Sequence, residues 1–250
     1  MACFTIIVPV LDERDNLDRL FAAFRDIENE FGADLDTRFI MVDDGSTDGT
    51  AERTRELAGN LDFTLLHHQT NQGPGRAFAT GFAHLAGNLR DDDWVATMEG
   101  DNTSCHKLIR QMFTRSKEGY DVILASPYMY GGGITNTQTY RWFLSYMANV
   151  FVKEMLGISG IMTMSSFFRL YRGRALRSLQ NRHGPGIVER AGFESMVEML
   201  VKMVYLKIAI SEVPMVLDTT LRAGKSKMNV IKTIMGYLSL YRLKGRWRVD

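Results

Sequence analysis

The sequence predicts an α/β fold built on a mostly parallel sheet flanked by helices. Short β-branched and apolar runs alternate with amphipathic stretches, and Gly, Asp and Asn turns punctuate the two. A chain of 250 residues with 45% hydrophobic and 10% aromatic side chains can fill a substantial core, which excludes a disordered or fibrous protein. Phe4 to Val10 reads as the first strand. Asp15 and Asn16 then start a helix with Leu17, Leu20, Phe21 and Phe24 on one face. Phe39 to Val42 is a second strand, after which Thr47 is expected to cap a helix reaching about Leu57. Phe63 to Leu66 is a third strand, followed by a Gly-rich turn and a helix from about Arg76 to Leu85. Trp94 to Met98 and Val122 to Ala125 are the fourth and fifth strands. The second half is less regular. A helix follows the Gly131-Gly132-Gly133 loop with Phe143, Leu144, Met147, Phe151 and Met155 as its apolar face. Phe167 to Tyr171 and Ile208 to Val213 read as strands, Phe193 to Leu206 as a helix, and Lys227 to Leu243 as a last helix with Ile231, Ile234, Met235, Leu238 and Tyr241 on one side.

The net charge is only +1, so bulk charge gives no argument for nucleic-acid binding. Its distribution is uneven: from Arg222 onward eight basic residues face a single acidic one, Asp250, which leaves an acidic body with a basic tail. The two cysteines, Cys3 and Cys105, form no disulfide framework, and no Cys/His spacing matches a zinc site, as expected in a reducing compartment. No stretch is long and apolar enough for a membrane span, and the N-terminus enters a strand without a signal-peptide pattern. His67-His68 reads as a satisfied or exposed pair, and Cys105 beside His106 carries little weight as a nucleophile pair.

In open α/β sheets ligands bind at the carboxyl ends of the strands, and three of those ends are acidic here. They are Val10-Leu11-Asp12-Glu13, Val42-Asp43-Asp44-Gly45-Ser46 and Glu99-Gly100-Asp101. Gathered at one edge, such carboxylates repel unless a cation or sugar hydroxyls sit among them. Glu99 and Asp101 are thus candidate ligands for Mg²⁺ or Mn²⁺, with Gly100 allowing a diphosphate to approach the backbone. There is no Walker lysine motif, and the Asn71 to Arg76 turn is a weak phosphate signal on its own.

The stretch Ile6 to Asn16, the stretch Val42 to Thr50 and the Glu99-x-Asp101 triplet, in this order, resemble a family 2 glycosyltransferase of the GT-A fold. Glu212-Val213-Pro214 and Arg222-Ala223-Gly224-Lys225-Ser226-Lys227-Met228 extend the resemblance to the branch of dolichol-phosphate mannosyltransferases and other polyprenyl-phosphate hexosyltransferases. The resemblance implies a GT-A catalytic domain over residues 1–221 and a basic acceptor loop after it; the remainder of 222–250 is read as an amphipathic helix, with a membrane surface as one of its two possible faces. It places nucleotide-sugar binding on Pro9, Leu11, Glu13, Asp43, Asp44, Gly100 and Asp101, and a divalent cation on Glu99 and Asp101. Arg141, Arg222, Ser226 and Lys227 fall at phosphate and acceptor positions; Asp101, Arg222, Lys227 and Glu198 are the candidate catalytic set. Two stretches depart from the branch: Ser126-Pro127-Tyr128 stands for Ser-Arg-Tyr, and Thr163 to Arg169 stands for Asp-x-Thr-Ser-Gly-Phe-Arg.

The expected reaction moves a hexose from a GDP-mannose or UDP-glucose type donor to a polyprenyl phosphate at the cytoplasmic membrane face, with inversion. A phosphate acceptor is already largely ionised at neutral pH and requires no general base. A sugar or glycolipid hydroxyl acceptor requires one, for which Glu194 and Glu198, four residues apart, are the candidates. A nucleotide-sugar binding protein without catalysis is the remaining alternative. The last helix reads equally as an interfacial helix or as a core-packing one, and the fifteen Met as core filler before lipid-facing groove.

Overall fold

The computed structural model describes residues 1–137, 139–223 and 230–248, with the side chains of 139–142, 144, 230 and 231 outside the description. Seven strands form one sheet: β1 (Cys3–Val10), β2 (Asp36–Asp43), β3 (Phe63–His67), β4 (Trp94–Thr97), β5 (Val122–Ser126), β7 (Arg169–Arg172) and β8 (Ile210–Pro214). Their order is β3-β2-β1-β4-β7-β5-β8, and every pairing is parallel except those of β7, which runs antiparallel between β4 and β5. A small parallel pair, β6 (Gly133–Thr135) with β9 (Val216–Asp218), stands apart. The helices are α1 (Leu17–Phe31), α2 (Thr50–Ala58), α3 (Pro74–Leu85), α4 (Leu108–Ser116), α5 (Thr139–Leu156), α6 (Gly173–His183), α7 (Ser195–Tyr205) and α8 (Val230–Trp247).

Alternation along each strand sends side chains to both faces of the sheet, which explains the continuous apolar runs. Phe4, Ile6, Val8 and Val10 of β1 pack with Phe21, Phe24 and Ile27 of α1 and with Ile109 and Met112 of α4. Ile7 of β1, with Ile40 and Val42 of β2, faces the other way, into Phe78 and Phe82 of α3 and the apolar side of α7. The antiparallel β7 puts Leu170 on the first face and Tyr171 on the second, so the inserted strand completes both cores.

One expectation changes, and two features go beyond the sequence reading. The helix after β2 starts at Thr50 rather than under Thr47, because Asp48 Oδ1 accepts the Thr50 backbone N–H (2.9 Å) while the Thr47 N–H is taken by Asp12 (2.8 Å). Helices α4 and α6 and the β6–β9 pair were not anticipated from the sequence pattern. Of the apolar stripes named for α5 and α8, Phe143 and Phe151 are 54% and 55% exposed, Met235 and Tyr241 61% and 54%, and Met147, Ile234 and Leu238 are exposed with them; Met155 packs against the core, and the side chains of Leu144 and Ile231 lie outside the described residues. The buried sides of these helices are other positions, Asn149, Val152 and Leu156 on α5, and Thr233, Leu240 and Trp247 on α8. By these contacts α8 packs on α7 and α5 as part of the main core, with Gly236 against the Glu194 carboxylate.

The Gly-rich turn before α3 owes its glycines to backbone packing. A Cβ on Gly73, whose φ is +96°, would meet the Ala191 carbonyl oxygen at 2.5 Å, and one on Gly75 would meet the Arg190 carbonyl oxygen at 2.1 Å. Gly75 N–H donates to that Ala191 oxygen (2.7 Å), so the start of α3 is laid directly on the segment that precedes α7. The Gly75→Ala variant is therefore expected to lose about 1–3 kcal/mol of stability through forced backbone separation. Urea denaturation followed by circular dichroism measures it, and an unchanged midpoint would show that the two segments separate without penalty.

Candidate active site

A cavity of about 760 Å³ opens at the carboxyl edge of β1, β2 and β4. The parallel register makes this edge a single rim. Val10 of β1 is the partner of Asp43 at the end of β2, and Asp43 in turn is the partner of His67 at the end of β3. Pro9, Val10, Leu11 and Glu13 line one wall and Asp44 another. Glu99, Gly100 and Asp101 contribute from beyond β4, and Asn71 to Pro74 from the turn before α3. Phe167, Ala191 to Glu194, Arg222, and Lys232 and Thr233 of α8 close the far side.

The rim loops are fastened to one another. Asp12 N–H donates to Ser46 Oγ (2.8 Å) and Glu13 N–H to Thr50 Oγ1 (2.9 Å), tying the loop after β1 to the loop after β2. Asn16, buried before α1, holds three segments at once. Its Nδ2 donates to Glu13 Oε2, its Oδ1 accepts from Ala223 N–H (2.9 Å), and its carbonyl accepts from Asn102 Nδ2 (2.9 Å). Asn16 lies inside a motif that the sequence singled out, where it is read only as a helix start; the fold alone brings residue 223 beside it.

Glu99 and Asp101 end up at one place. Ser104 Oγ donates to Glu99 Oε2 (2.9 Å), while burial first, and the Asp101 carboxylate next, push the Glu99 carboxyl up to about 7. Asp101 accepts from the Thr103 N–H (3.1 Å) and hydroxyl (2.7 Å), and Arg222 donates to its Oδ2 from Nε (2.6 Å) and from a terminal nitrogen. Two crowded carboxylates, one of them pushed toward its neutral form by burial and then by the other, fit a hard divalent cation that would offset the charge of both. Among the described residues no group of three or more His, Cys, Asp or Glu side chains forms a complete cage, so diphosphate and water oxygens would fill the remaining positions. Gly100 lines the cavity, but what demands a glycine there is the sheet: a Cβ would sit 2.7 Å from Val10 Cγ1.

Other expected residues divide. Asp43 is fully buried below the cavity, where it accepts from Ser46 N–H (2.9 Å) and pairs with His67 Nδ1 (3.0 Å); its carboxylate shapes the turn and does not line the cavity. Glu194 lines the cavity, buried, with Arg190 Nε at 3.4 Å. Glu198, expected beside it as a catalytic base, is corrected: its carboxylate points away and accepts the Glu189 and Arg190 N–H groups (3.0 and 2.8 Å) and the Lys202 ammonium. Burial raises its pKa while Lys202 opposes the shift. The helical spacing that paired the two glutamates holds, since Glu194 is the N-cap of α7 and its carbonyl accepts the Glu198 N–H (2.9 Å), but the two carboxylates turn to different partners. Arg141 lies in α5 with its side chain outside the described residues, and Ser226 and Lys227 lie outside them altogether.

The departures from the branch pattern also acquire a place. Phe167, standing for a glycine, lines the cavity and stacks on Phe193 (centroids 5.5 Å apart, planes 9° apart), so an aromatic wall replaces open space. Thr163, standing for an acid, donates its N–H to Glu212 Oε1 (2.8 Å), and Met162 N–H donates to Oε2 (2.6 Å). Glu212 of the Glu-Val-Pro stretch is thus a loop clamp. Fully buried Arg169 donates to the carbonyls of Ser166, Met164 and Met196 from the other side.

Against known proteins, the profile of glycosyl transferase family 2 matches residues 5–180. The chain belongs to glycosyl transferase family 2. As a member of it, the chain is 29% identical over 244 residues to the dolichol-phosphate mannosyltransferase of Pyrococcus furiosus, covering 96% of this chain and 63% of that one. It is 26% identical over 245 residues to the polyprenol monophosphomannose synthase of Mycolicibacterium smegmatis, covering 96% of this chain and 87% of that one. Its fold is similar to that of glucosyl-3-phosphoglycerate synthase from Mycobacterium tuberculosis, solved with Mn²⁺ and uridine diphosphate. The TM-score is 0.64 at 14% identity, over 100% of this chain and 81% of that one. The family 2 fold here is thus the GT-A arrangement, with the acidic rim at its cavity.

The Glu198–Lys202 pair gives a direct test of the corrected assignment. Glu198→Leu leaves the buried Lys202 ammonium with only the Glu189 carboxylate (3.2 Å) and the Gly186 carbonyl (2.6 Å) and orphans the Glu189 and Arg190 N–H groups, so it is expected to cost about 3–5 kcal/mol. The Glu198→Leu/Lys202→Met double variant is expected to recover a large part of it. A thermodynamic double-mutant cycle measures the coupling, and additive losses would remove the ion pair from the account.

Proposed function

We propose that this family 2 glycosyltransferase moves a hexose from a nucleoside-diphosphate sugar to the phosphate of a polyprenyl lipid. The observation that carries this reading is the course of α8. At its start Lys232 and Thr233 line the cavity, and directly after them Ile234, Met235, Leu238 and Tyr241 form an exposed apolar stripe. One helix therefore joins a charged pocket to a hydrophobic surface, the shape required by a ligand with a phosphate head and a hydrocarbon tail. Helix α5, packed against α8, carries exposed apolar residues of its own, Phe143, Met147 and Phe151. Arg242, Lys244, Arg246 and Arg248 place positive charge at the far end of α8, suited to an anionic lipid face. No helix among the described residues is long and apolar enough to cross a membrane, so this surface would lie on a bilayer.

The donor reading follows from the rim. Asp44 and Glu13 offer acceptors to the nucleoside. Glu99 and Asp101 would hold Mg²⁺ or Mn²⁺, which supplies charge neutralisation for the departing diphosphate. Arg222, freed from Asp101, would bring a guanidinium to the phosphates, and Ser226 and Lys227, which lie outside the described residues, would complete the acceptor side, with Arg141 as a further phosphate contact. The two relatives compared above are named for mannosyl transfer to isoprenoid phosphates, which makes GDP-mannose the first donor to test and a UDP-sugar the second. A phosphate nucleophile is ionised at neutral pH, so Glu194 has no proton to remove and direct displacement inverts the anomeric centre.

With labelled donor, Mn²⁺ and a polyprenyl phosphate in detergent, label is expected in the lipid phase. Chelation of the metal or Asp101→Ala is expected to cut the rate by roughly 100-fold or more, and Glu194→Gln to change it by less than about threefold. Transfer to a hydroxyl acceptor that collapses in Glu194→Gln would instead make Glu194 a general base and overturn the phosphate assignment. Flotation with anionic vesicles tests the surface separately. The Met235→Ser/Leu238→Ser/Tyr241→Ser variant is expected to lose most vesicle binding while keeping nucleoside-diphosphate affinity, and undiminished flotation would detach α8 from the membrane role.

A further inference from the structure

The two histidines that close β3 were read from the sequence as a bland pair, and the structure gives them separate tasks. Residues 43 and 67 are register partners, so the next residues, Asp44 and His68, also meet, with side chains on the opposite face of the sheet from Asp43 and His67. The outer pair, His67 and Asp43, is exposed on the histidine side (46%) and lies below the cavity. The inner pair is different. His68 is 10% exposed, its Nδ1 is 2.7 Å from Asp44 Oδ1, and its Nε2 is 2.9 Å from Thr80 Oγ1 on α3. Asp44 lines the cavity and is 4% exposed.

Hydrogen-bond logic fixes the direction of the relay. An ionised carboxylate only accepts, so His68 Nδ1 must carry the proton toward Asp44, and in the neutral ring Nε2 then accepts from the Thr80 hydroxyl. Asp44 also accepts the Gln72 N–H (3.0 Å) at Oδ1 and the Gly73 N–H (2.7 Å) at Oδ2. A carboxylate offers about four acceptor sites. His68, Gln72 and Gly73 fill three, and the one left belongs to a group that enters the cavity.

Resting on the nucleotide-sugar reading above, we propose that His68, set by Thr80, is a positioning residue that orients the Asp44 carboxylate so that its remaining acceptor site reads a donor group of the nucleoside, a ring N–H or a ribose hydroxyl. Gln72 and Gly73 belong to the turn whose glycines are pressed on Ala191, so two of the three Asp44 partners are backbone and cannot be exchanged by mutation. His68 is the partner that a side-chain change can remove. Its loss would let the carboxylate swing about Cβ, weakening nucleoside capture while leaving the diphosphate end of the site, at Glu99 and Asp101, untouched.

The test is calorimetric titration of GDP and UDP, each with Mn²⁺, into the wild-type chain and into His68→Leu, His68→Asn and Thr80→Val, with donor kinetics in parallel. Asn retains an N–H donor near the Nδ1 position. His68→Leu is expected to weaken the bound nucleotide roughly 10- to 100-fold, as for a lost hydrogen bond to a charged group, and His68→Asn to stay within about threefold of wild type. The kinetic loss is expected in KM for the donor, with kcat at saturation preserved. Equal affinity in His68→Leu, or a loss in His68→Asn as large as that in His68→Leu, would overturn the positioning role. If His68→Leu fails to fold, Thr80→Val carries the test: a rise in donor KM at constant kcat supports the relay, and unchanged kinetics removes it. A wild-type chain that binds neither nucleotide would overturn the donor reading itself, and this inference with it.

Discussion

Everything at the functional edge is shaped by one constraint: parallel strands in register bring acidic loops to a single rim, and like charges there need partners. The chain meets that need locally and differently for each acid. Asp43 is buried against His67 and a backbone amide, Asp44 is held by His68 and two amides, and Asp48 accepts from the Thr50 N–H and hydroxyl at the start of α2. Asp101 takes the Arg222 guanidinium. Glu99 alone has only a hydroxyl and backbone contacts to set against burial and a neighbouring carboxylate, and its raised pKa records the imbalance. Among the described residues the rim is thus well partnered except at Glu99, one of the two carboxylates placed to take a cation.

Much of this was legible in the sequence. Strands that are buried on both faces are continuous apolar runs, and β1 to β5 were found within a few residues for that reason. The acidic strand ends were also visible, because turn chemistry places such residues at fixed offsets from the strands they close. Strand order was not. The insertion of β7 between β4 and β5, antiparallel, depends on a return of the chain that no local pattern encodes. Amphipathic period showed that α5 and α8 each have an apolar stripe, but not that the stripe faces solvent, since an outward and an inward stripe have the same spacing. Glu198 was misassigned for a related reason: spacing pairs it with Glu194 but does not show that its carboxylate is taken by the Glu189 and Arg190 N–H groups and by Lys202.

Long-range polar clamps were the least visible layer. Asn16 to Ala223, Glu212 to Met162 and Thr163, and Arg169 to three carbonyls all join positions remote in sequence. Each fastens a segment that borders the cavity, so the catalytic rim is rigid because of buried polar groups outside the cavity wall. The change from glycine to Phe167 shows how the same scaffold admits a different lining: the clamp by Arg169 two residues on is kept, while an aromatic ring stacked on Phe193 takes up part of the floor.

The geometry of α8 has one more implication. Its inner side is anchored by Leu240 and by Trp247, whose indole N–H donates to Glu189 Oε2 (3.2 Å), while its outer side carries the apolar stripe and its first turn borders the cavity. A helix pinned at one end to the body and open along its flank behaves as a fixed gauge. Under the proposed lipid acceptor, it sets a constant height between the bilayer and the reacting phosphate. Selectivity would then fall on the head group and the first isoprene units, with the remaining length of the tail left unmeasured.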